Sequence, residues 1–449
     1  MSKKYIQPVR GTHDLIGDDM RLFRHIVDTA RHTADLYGYD EMQTPIFEFS
    51  DVFHRSLGDT SDVVSKETYS FEDRGGESIT LRPEFTAAIV RAFISNGYTQ
   101  KLPFKAFYAG PAFRYERPQK GRQRQFHQVG VECLGADAPW HDVESILCAQ
   151  QFLKTLLGEE TYNNHITLEL NTLGDDESRD AYRKALVDYF TKHKSDLSKE
   201  SQIRLEKNPL RILDSKQAED REIVKDAPNF EDCLNATSQF WFERVTDLLD
   251  GLKCNYKISP RLVRGLDYYS HTVFEFTSDL LGSQATVLAG GRYDKLVEQM
   301  GGTAVSGVGW ASGVERLKIV KNIVDNDDFS GLWLKKPIAI NAADEVSLKT
   351  ALKLAFYLRN NPDYKLNLKA ELIFHKNYSK ALKKANDIEA SYFTRIENNN
   401  FDKNSIFVRN METSNEVNAK NEDLSLEDLT EKNILQELLF FSETLPSKT

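Results

Sequence analysis

The sequence runs to 449 residues, too long for one ordinary core, and it reads as two or three domains. Its 40% hydrophobic and 28% charged content excludes wholesale disorder, and a formal net charge of -10 argues against unspecific adhesion to nucleic acid, so a polyanion must be met at a local basic patch. The 4 cysteines form no C-x-x-C pair and no apolar run of about 18 residues occurs, which disfavours a disulfide framework, a structural metal, secretion and membrane spanning, and fits a cytoplasmic protein.

Leu22, Phe23, Ile26, Ala30 and Ala34 recur at helical spacing and predict an amphipathic helix over 19–36 that stops at Gly38. The extended segment 42–49 is broken by Pro45, which lacks an N–H and belongs at an edge, a strand start or an interface. SITL at 78–81 predicts a short strand leading into a helix at FTAAIVRAFI. Glu84 and Thr86 then fall at the junction, where helix capping is the plain reading.

Residues 104–116 and 126–134 predict an antiparallel hairpin with a long polar tip. In the second strand Phe126, Gln128, Gly130 and Glu132 share one face, and His127, Val129 and Val131 share the other. The latter set belongs to a core. The former offers an aromatic plate, an amide, a gap and a carboxylate, the profile of a ligand floor. Ala112, Arg114 and Glu116 share a face of the first strand, and Arg114, Arg117, Lys120, Arg122 and Arg124 concentrate cations around the tip. A solvated charged hairpin is the competing reading.

From about 176 to 253 helix formers and charges predict a helical insertion. Strand signals return in RLVRGLDYYSHTVFEFT and ATVLAG. Arg264 lies there beside Tyr268 and Tyr269, and a buried arginine needs a partner, either a ligand or Asp267. GVGWASGVERL predicts a Gly-rich turn feeding a helix, with Gly309 and Gly313 flanking its start and Arg316 about one turn in. Such glycines admit a flat ligand or simply pack a helix on a sheet. No G-x-x-x-x-G-K-[ST] or G-x-G-x-x-G occurs, so arginines must do the work of a phosphate-cradling loop if a nucleotide binds. After an acidic linker at 324–335, a β, α, β, α, β alternation predicts a small α/β domain, in which Lys380, Lys383 and Lys384 share a helical face beside Lys376. That face suits phosphate contacts or plain solvation.

Together, RGTHDL, GYDEMQTPIFE, LRPE, FRYERPQKGRQRQFHQVGVE, RGLDYY, AGGRYDKLVEQMGG and GVGWASGVERL resemble, in order, the motifs of the histidyl-tRNA synthetase family of class II aminoacyl-tRNA synthetases. The resemblance implies an α+β fold: a class II antiparallel sheet flanked by helices over 1–325, with the insertion, a linker at 326–335 and an anticodon-binding α/β domain over 336–449. It further implies a homodimer built partly through Pro45, ATP and Mg²⁺, and histidine transferred through an adenylate to its tRNA. Arg114 would contact the α-phosphate with Arg264 on its other side, and Arg122 the β- and γ-phosphates. Glu116, Phe126 and Arg316 would hold adenine. Glu84, Thr86 and Gln128 would hold the histidine α-amino group, Glu132 and Tyr269 the imidazole nitrogens, with Tyr268 and Tyr293 lining the pocket. Arg117, Gln119, Lys120 and Arg124 would meet the tRNA acceptor end, and Lys383 and Lys384 the anticodon region.

Trp310, IGDDM and the Asn-rich run near 392–405 depart from the family pattern. The alternative is a non-catalytic relative, the regulatory subunit of ATP phosphoribosyltransferase in histidine biosynthesis. Such subunits lose the C-terminal domain and erode the arginines that this sequence keeps.

Overall fold

The computed structural model describes residues 6–57, 67–213, 215, 217–263, 268–325, 336–360, 369–399, 403–411, 413–414 and 416–419. Contacts divide the chain into two units, Met1–Phe329 and Ser330–Thr449.

In the first unit α1 (Gly17–Leu36) turns Leu22, Ile26, Ala30 and Ala34 inward, together with Val27 and Thr33. β1 (Asp40–Glu41) and β2 (Phe47–Phe49) flank Pro45, and α2 (Ser50–Leu57) follows. β3 (Tyr69–Glu72) and β4 (Ser78–Leu81) join β2 in a small antiparallel sheet of order β2-β4-β3. α3 (Thr86–Ser95) then leads to the hairpin of β5 (Phe104–Phe113) and β6 (Gln125–Leu134). The first hairpin strand ends at Phe113, not at 116 as the pattern predicts. Beyond it the Glu116 N–H bonds to the Arg114 carbonyl, which turns the chain out of the ladder.

The remaining elements of this unit are α4 (Pro139–Leu157), α5 (Glu159–His165), β7 (Ile166–Thr172), α6 (Asp176–Lys192), α7 (Lys199–Lys207), α8 (Ala218–Lys225), α9 (Ala236–Gly251), β8 (Lys257–Ile258), β9 (Ser270–Ser278), β10 (Thr286–Tyr293), α10 (Leu296–Gln299), β11 (Gly307–Gly313) and α11 (Val314–Asp325). Eight strands form one sheet of order β1-β5-β6-β11-β10-β9-β7-β8, antiparallel except where β1 and β8 join its two ends. Helices flank it, as the fold class requires. α4 buries Val143, Ile146, Phe152, Leu153 and Leu156, and Phe152 stacks on Trp310 with ring centroids 5.8 Å apart.

Two sequence expectations change here. Among the described residues of RLVRGLDYYSHTVFEFT only those from Ser270 onward are strand, since β9 begins there, and Arg261, Leu262, Val263, Tyr268 and Tyr269 are not. GVGWASG is not a turn but the central strand β11, running directly into α11. Its glycines belong to a sheet face rather than a bend: a Cβ on Gly309 would stand 2.0 Å from Glu132 Oε2, and one on Gly307 would stand 2.2 Å from the Tyr293 ring.

The helices α6, α7 and α9 start on Asp175, Ser198 and Asn235, whose side chains each accept a bond from a first-turn N–H. Tyr182, Leu186, Phe190 and Phe230 make their core. Asp220, fully buried, accepts from the hydroxyls of Ser198, Ser201 and Ser215 and so ties α8 to the start of α7.

The second unit contains β12 (Ile338–Ala342), α12 (Glu345–Asn360), β13 (Ala370–Phe374), α13 (Tyr378–Asp387), β14 (Tyr392–Asn399), β15 (Lys403–Asn410) and β16 (Glu416–Ala419). Its sheet has the order β13-β12-β14-β15-β16, with β12 parallel to both neighbours. α12 packs Ala351, Leu354, Ala355 and Leu358 on Ile338 and Ile340. α13 packs Ala381 and Ala385 with Ile373 and Phe393. The Asn-rich stretch, polar though it is, forms the β14–β15 hairpin.

Candidate active site

A cleft of about 240 Å³ opens over β6, β10 and β11. Strand alternation delivers Phe126, Gln128 and Glu132 to it, while Val129 and Val131 point to the core on the other face. His127 also faces away: its N–H and ring Nδ1 both bond to Glu315, at 3.0 and 2.9 Å. Glu84, Thr86, Arg114, Glu116, Arg122, Tyr268, Tyr269 and Arg316 line the same cleft. Residues from five separate stretches of sequence thus converge.

One end is buried. Glu132 is 1% exposed, and Glu84, Tyr268 and Tyr269 are buried beside it. The Glu132 carboxylate is held by three hydroxyls: Thr86 Oγ1 donates to Oε1 at 2.6 Å, the Tyr108 hydroxyl donates to Oε1 at 3.3 Å, and the Tyr293 hydroxyl donates to Oε2. Burial dominates nonetheless and pushes its pKa up to about 8, with the nearby Glu84 adding to the rise and the hydroxyls opposing it. Glu84 is raised by burial too, against bonds from the Ala87 and Thr86 N–H groups and the charge of Arg114. The hydroxyls of Tyr108, Tyr268 and Tyr293 titrate well above their ordinary range because burial disfavours phenolate. The Gln128 Oε1 is buried with no protein hydrogen-bond partner. A buried acceptor left open at the edge of a cleft awaits a donor from a ligand.

One predicted placement changes, and another residue has a structural task besides its place in the cleft. Glu84 accepts from the Thr86 N–H at 2.5 Å and the Ala87 N–H at 2.8 Å, so the carboxylate caps α3 whatever else it binds. Tyr293 does not line the cleft. It stands behind Glu132 and orients it, while Tyr108, which the sequence did not single out, does line it.

The other end is cationic and more open. Arg114 Nε donates to the Pro83 carbonyl at 3.0 Å, and its guanidinium carbon lies 5.3 Å from the Phe126 ring centroid. Arg122 pairs with Glu116 at 3.2 Å. Arg316 donates to the Thr286 carbonyl at 2.7 Å, and its pKa is lowered by burial and then by the neighbouring Arg122. Three cations held this close by neutral carbonyls and a single carboxylate leave positive potential to spare. Arg264 lies outside the described residues, as does Asp267, its predicted alternative partner.

At the hairpin tip Arg117, Gln119 and Lys120 are exposed. Arg124 is not part of that tip: it folds back, its guanidinium carbon 4.0 Å from the Tyr115 ring centroid and its stem against Gly11. Lys380, Lys383 and Lys384 are exposed on α13, as is Lys376 just before it. Pro45 is exposed, and it adjoins an unpredicted apolar face. Phe47, Phe49 and Phe71 are 55%, 59% and 50% exposed, and the strand register places them on one side of the small sheet through Leu81 and Ile79. Among the described residues no helix is long and apolar enough to cross a membrane, and no group of three or more His, Cys, Asp or Glu is arranged to hold a metal ion.

Comparison with known proteins bears on what this cleft does. The profile of the Histidyl-tRNA synthetase family matches residues 11–317. The chain is 50% identical over 421 residues to a histidine–tRNA ligase of Gluconobacter oxydans (strain 621H), covering 94% of this chain and 97% of that protein. It is 44% identical over 418 residues to one of Orientia tsutsugamushi (strain Ikeda), covering 92% and 95%. The crystal structure of apo S. aureus histidyl-tRNA synthetase superposes with a TM-score of 0.74 at 32% identity, covering 95% of this chain and 99% of that one. An ATP phosphoribosyltransferase regulatory subunit/histidyl-tRNA synthetase from Bacillus halodurans shares the fold, at 19% identity and a TM-score of 0.60 over 88% of this chain and 98% of that one. On sequence, fold and length alike, the chain belongs to the histidyl-tRNA synthetase family.

Proposed function

We infer that the protein activates L-histidine with ATP to histidyl-adenylate and passes the histidyl group to the 3′ end of its tRNA. The observation that carries this reading is one cleft with two chemically opposite ends: a buried carboxylate held by three hydroxyls, and a cluster of Arg114, Arg122 and Arg316. An imidazole has two opposed nitrogens, so it needs an acceptor and a donor held apart at fixed spacing. Glu132 and Tyr269 supply that pair, with Tyr268 against the ring. Gln128, with its open acceptor, takes the α-amino group together with Glu84 and Thr86.

Attack of the histidine carboxylate on the α-phosphate brings like charges together, and the transition state gathers charge on the phosphoryl oxygens. Arg114 and Arg264 take the α-phosphate from two sides, and Arg122 the β- and γ-phosphates. Phe126 and Arg316 receive the adenine ring, with Glu116 at its edge. Mg²⁺ fits only as an ion carried mostly by the triphosphate. Among the described residues, the cleft carboxylates Glu84, Glu132 and Glu315 are engaged by protein donors, which leaves Glu116, itself paired with Arg122. When bound, it would neutralise phosphate charge.

The first unit is then the catalytic domain and the second the anticodon-binding domain. Arg117, Gln119, Lys120 and Arg124 serve the acceptor end, Arg124 by shaping the loop, and Lys383 and Lys384 the anticodon arm. The exposed face of Phe47, Phe49 and Phe71 beside Pro45 is the surface for a second copy, since a monomer gains nothing by presenting three aromatic rings to water. Buried free thiols at Cys133, Cys148 and Cys254 suit the reducing cytoplasm.

The deciding experiment is histidine-dependent exchange of pyrophosphate into ATP. Exchange that requires histidine and is not replaced by other amino acids is the expected result. Its absence from folded, dimeric protein would move the chain to the regulatory role.

A further inference from the structure

Arg82 is a fully buried arginine that no step above uses. Among the described residues it forms no ion pair. Instead Nε donates to the Pro111 carbonyl at 2.8 Å, and Nη1 donates to the Thr44 carbonyl at 2.9 Å, the Thr44 hydroxyl at 3.2 Å and the Pro45 carbonyl at 3.2 Å. Nη2 has no partner. A cation buried on carbonyls and one hydroxyl, with no carboxylate bonded to it, is costly, because its desolvation is only partly returned. Stabilising a turn is weak justification for such a choice.

The guanidinium has a second face. Its central carbon lies 3.8 Å from the Phe85 ring centroid. Phe85 in turn stacks on Tyr108, with centroids 4.4 Å apart and planes 7° from parallel, and the Tyr108 hydroxyl bonds to Glu132. Phe85 is also the residue between Glu84 and Thr86, so whatever fixes its ring fixes both neighbours. Gly110 leaves the room for this stack: a Cβ there would stand 2.8 Å from Arg82 Nη2 and 3.2 Å from the Phe85 ring. The segment on which the guanidinium rests, Thr44 and Pro45, runs straight into the exposed aromatic face.

We propose that Arg82 is a positioning residue for the histidine end of the cleft, acting through Phe85 and Tyr108 on Glu132 and holding that end to the Thr44–Pro45 segment. The proposal rests on the reading of Glu132 as the imidazole acceptor. A planar guanidinium does two things at once here that an ammonium cannot: it serves several carbonyls in its plane and stacks an aromatic ring on its face.

The test is steady-state pyrophosphate exchange by the full-length protein with histidine and ATP varied separately. Arg82→Met keeps an unbranched apolar stem and loses the fork. It is expected to raise KM for histidine about tenfold or more while KM for ATP stays within about twofold. Tyr108→Phe should raise KM for histidine by itself, and the double variant should be no worse than Arg82→Met alone, because both changes break one chain of contacts. If KM for histidine and KM for ATP rise together, or if the two changes multiply, Arg82 is a fold anchor only and the proposal fails. Should Arg82→Met not fold, Gly110→Ala displaces the guanidinium through side-chain contacts alone, and the same split between the two KM values is expected. Wild-type protein lacking histidine-dependent exchange would instead sink the ligase reading. Titration of Gly110→Ala and wild type with histidine alone would then decide the relay: weaker binding to the variant supports it, and equal binding overturns it.

Discussion

The two ends of the cleft solve recognition in opposite ways. At the buried end every visible atom of Glu132 is already engaged, and its neighbours Thr86, Tyr108 and Tyr293 hold it from three elements of the fold. At the open end the arginines rest on single carbonyls or on one half-buried carboxylate, and they crowd one another. The first arrangement is costly to build and rigid, so it discriminates. The second is a set of charges whose repulsion a polyphosphate relieves, so it attracts and stabilises. Selectivity for a small ring demands fixed donors and acceptors, whereas charge stabilisation tolerates adjustment.

If that division is right, changes at the buried end should strike choice of substrate hardest. Glu132→Ala leaves the hydroxyls without their acceptor and the imidazole without its own, and histidine-dependent exchange should fall by about 10⁴ in kcat/KM. A loss of only a few-fold would break the comparison. In the proposed function Arg114 and Arg264 act on charge that develops during reaction, so Arg114→Ala and Arg264→Ala should each lower kcat by about 10² to 10³ with a much smaller change in KM for ATP. Single-turnover adenylate formation reads this directly, and an unchanged rate for either variant removes it from the transition state.

The carboxyl at the centre of the buried end also sets a pH dependence. Its value rises from an ordinary 4.5 to about 8 in the folded protein, so the folded state holds the proton more tightly than the unfolded state. The stability this lends is complete below about pH 4.5 and is lost as pH climbs through about 8. Urea unfolding of ligand-free protein should therefore show wild type losing ground to Glu132→Gln, whose amide does not titrate, across that window. Parallel stability curves would mean that the carboxylate is ionised throughout. The smallest effect belongs to the other unit: Lys383→Ala with Lys384→Ala should weaken tRNA charging about three- to tenfold at low salt and leave pyrophosphate exchange unchanged. Equal loss of both activities would deny that unit a separate task.

The sequence alone showed the open end better than the buried one. Arg114, Arg122 and Arg316 stand out in an acidic chain because cations are conspicuous where a strand or helix gives them no structural excuse. Tyr108 gave no such signal, since an aromatic residue in a strand is ordinary core until its hydroxyl is seen to find Glu132. Glycines mislead in the opposite direction: GVGWASG reads as a turn by composition, yet it is a central strand in which Glu132 and Tyr293 occupy the space that side chains at Gly309 and Gly307 would need. Sequence position places Arg124 at the tip, whereas its guanidinium packs over the Tyr115 ring.

What the chain determines on its own is periodicity and chemistry. Alternation in 126–132 sends Glu132 and Gln128 to one face whatever lies above them, helical spacing in 19–36 builds α1, and the order of the motifs specifies the family. What only the tertiary structure decided is which groups meet across long separations. Tyr293 lies 161 positions from the carboxylate it orients, and Arg82 lies 38 from the carbonyl it holds. Local pattern reports the side of a strand on which a residue sits, because that follows from backbone geometry. The neighbour it finds there depends on how the strands are ordered in the sheet, β5-β6-β11-β10, an order set by packing of the whole unit.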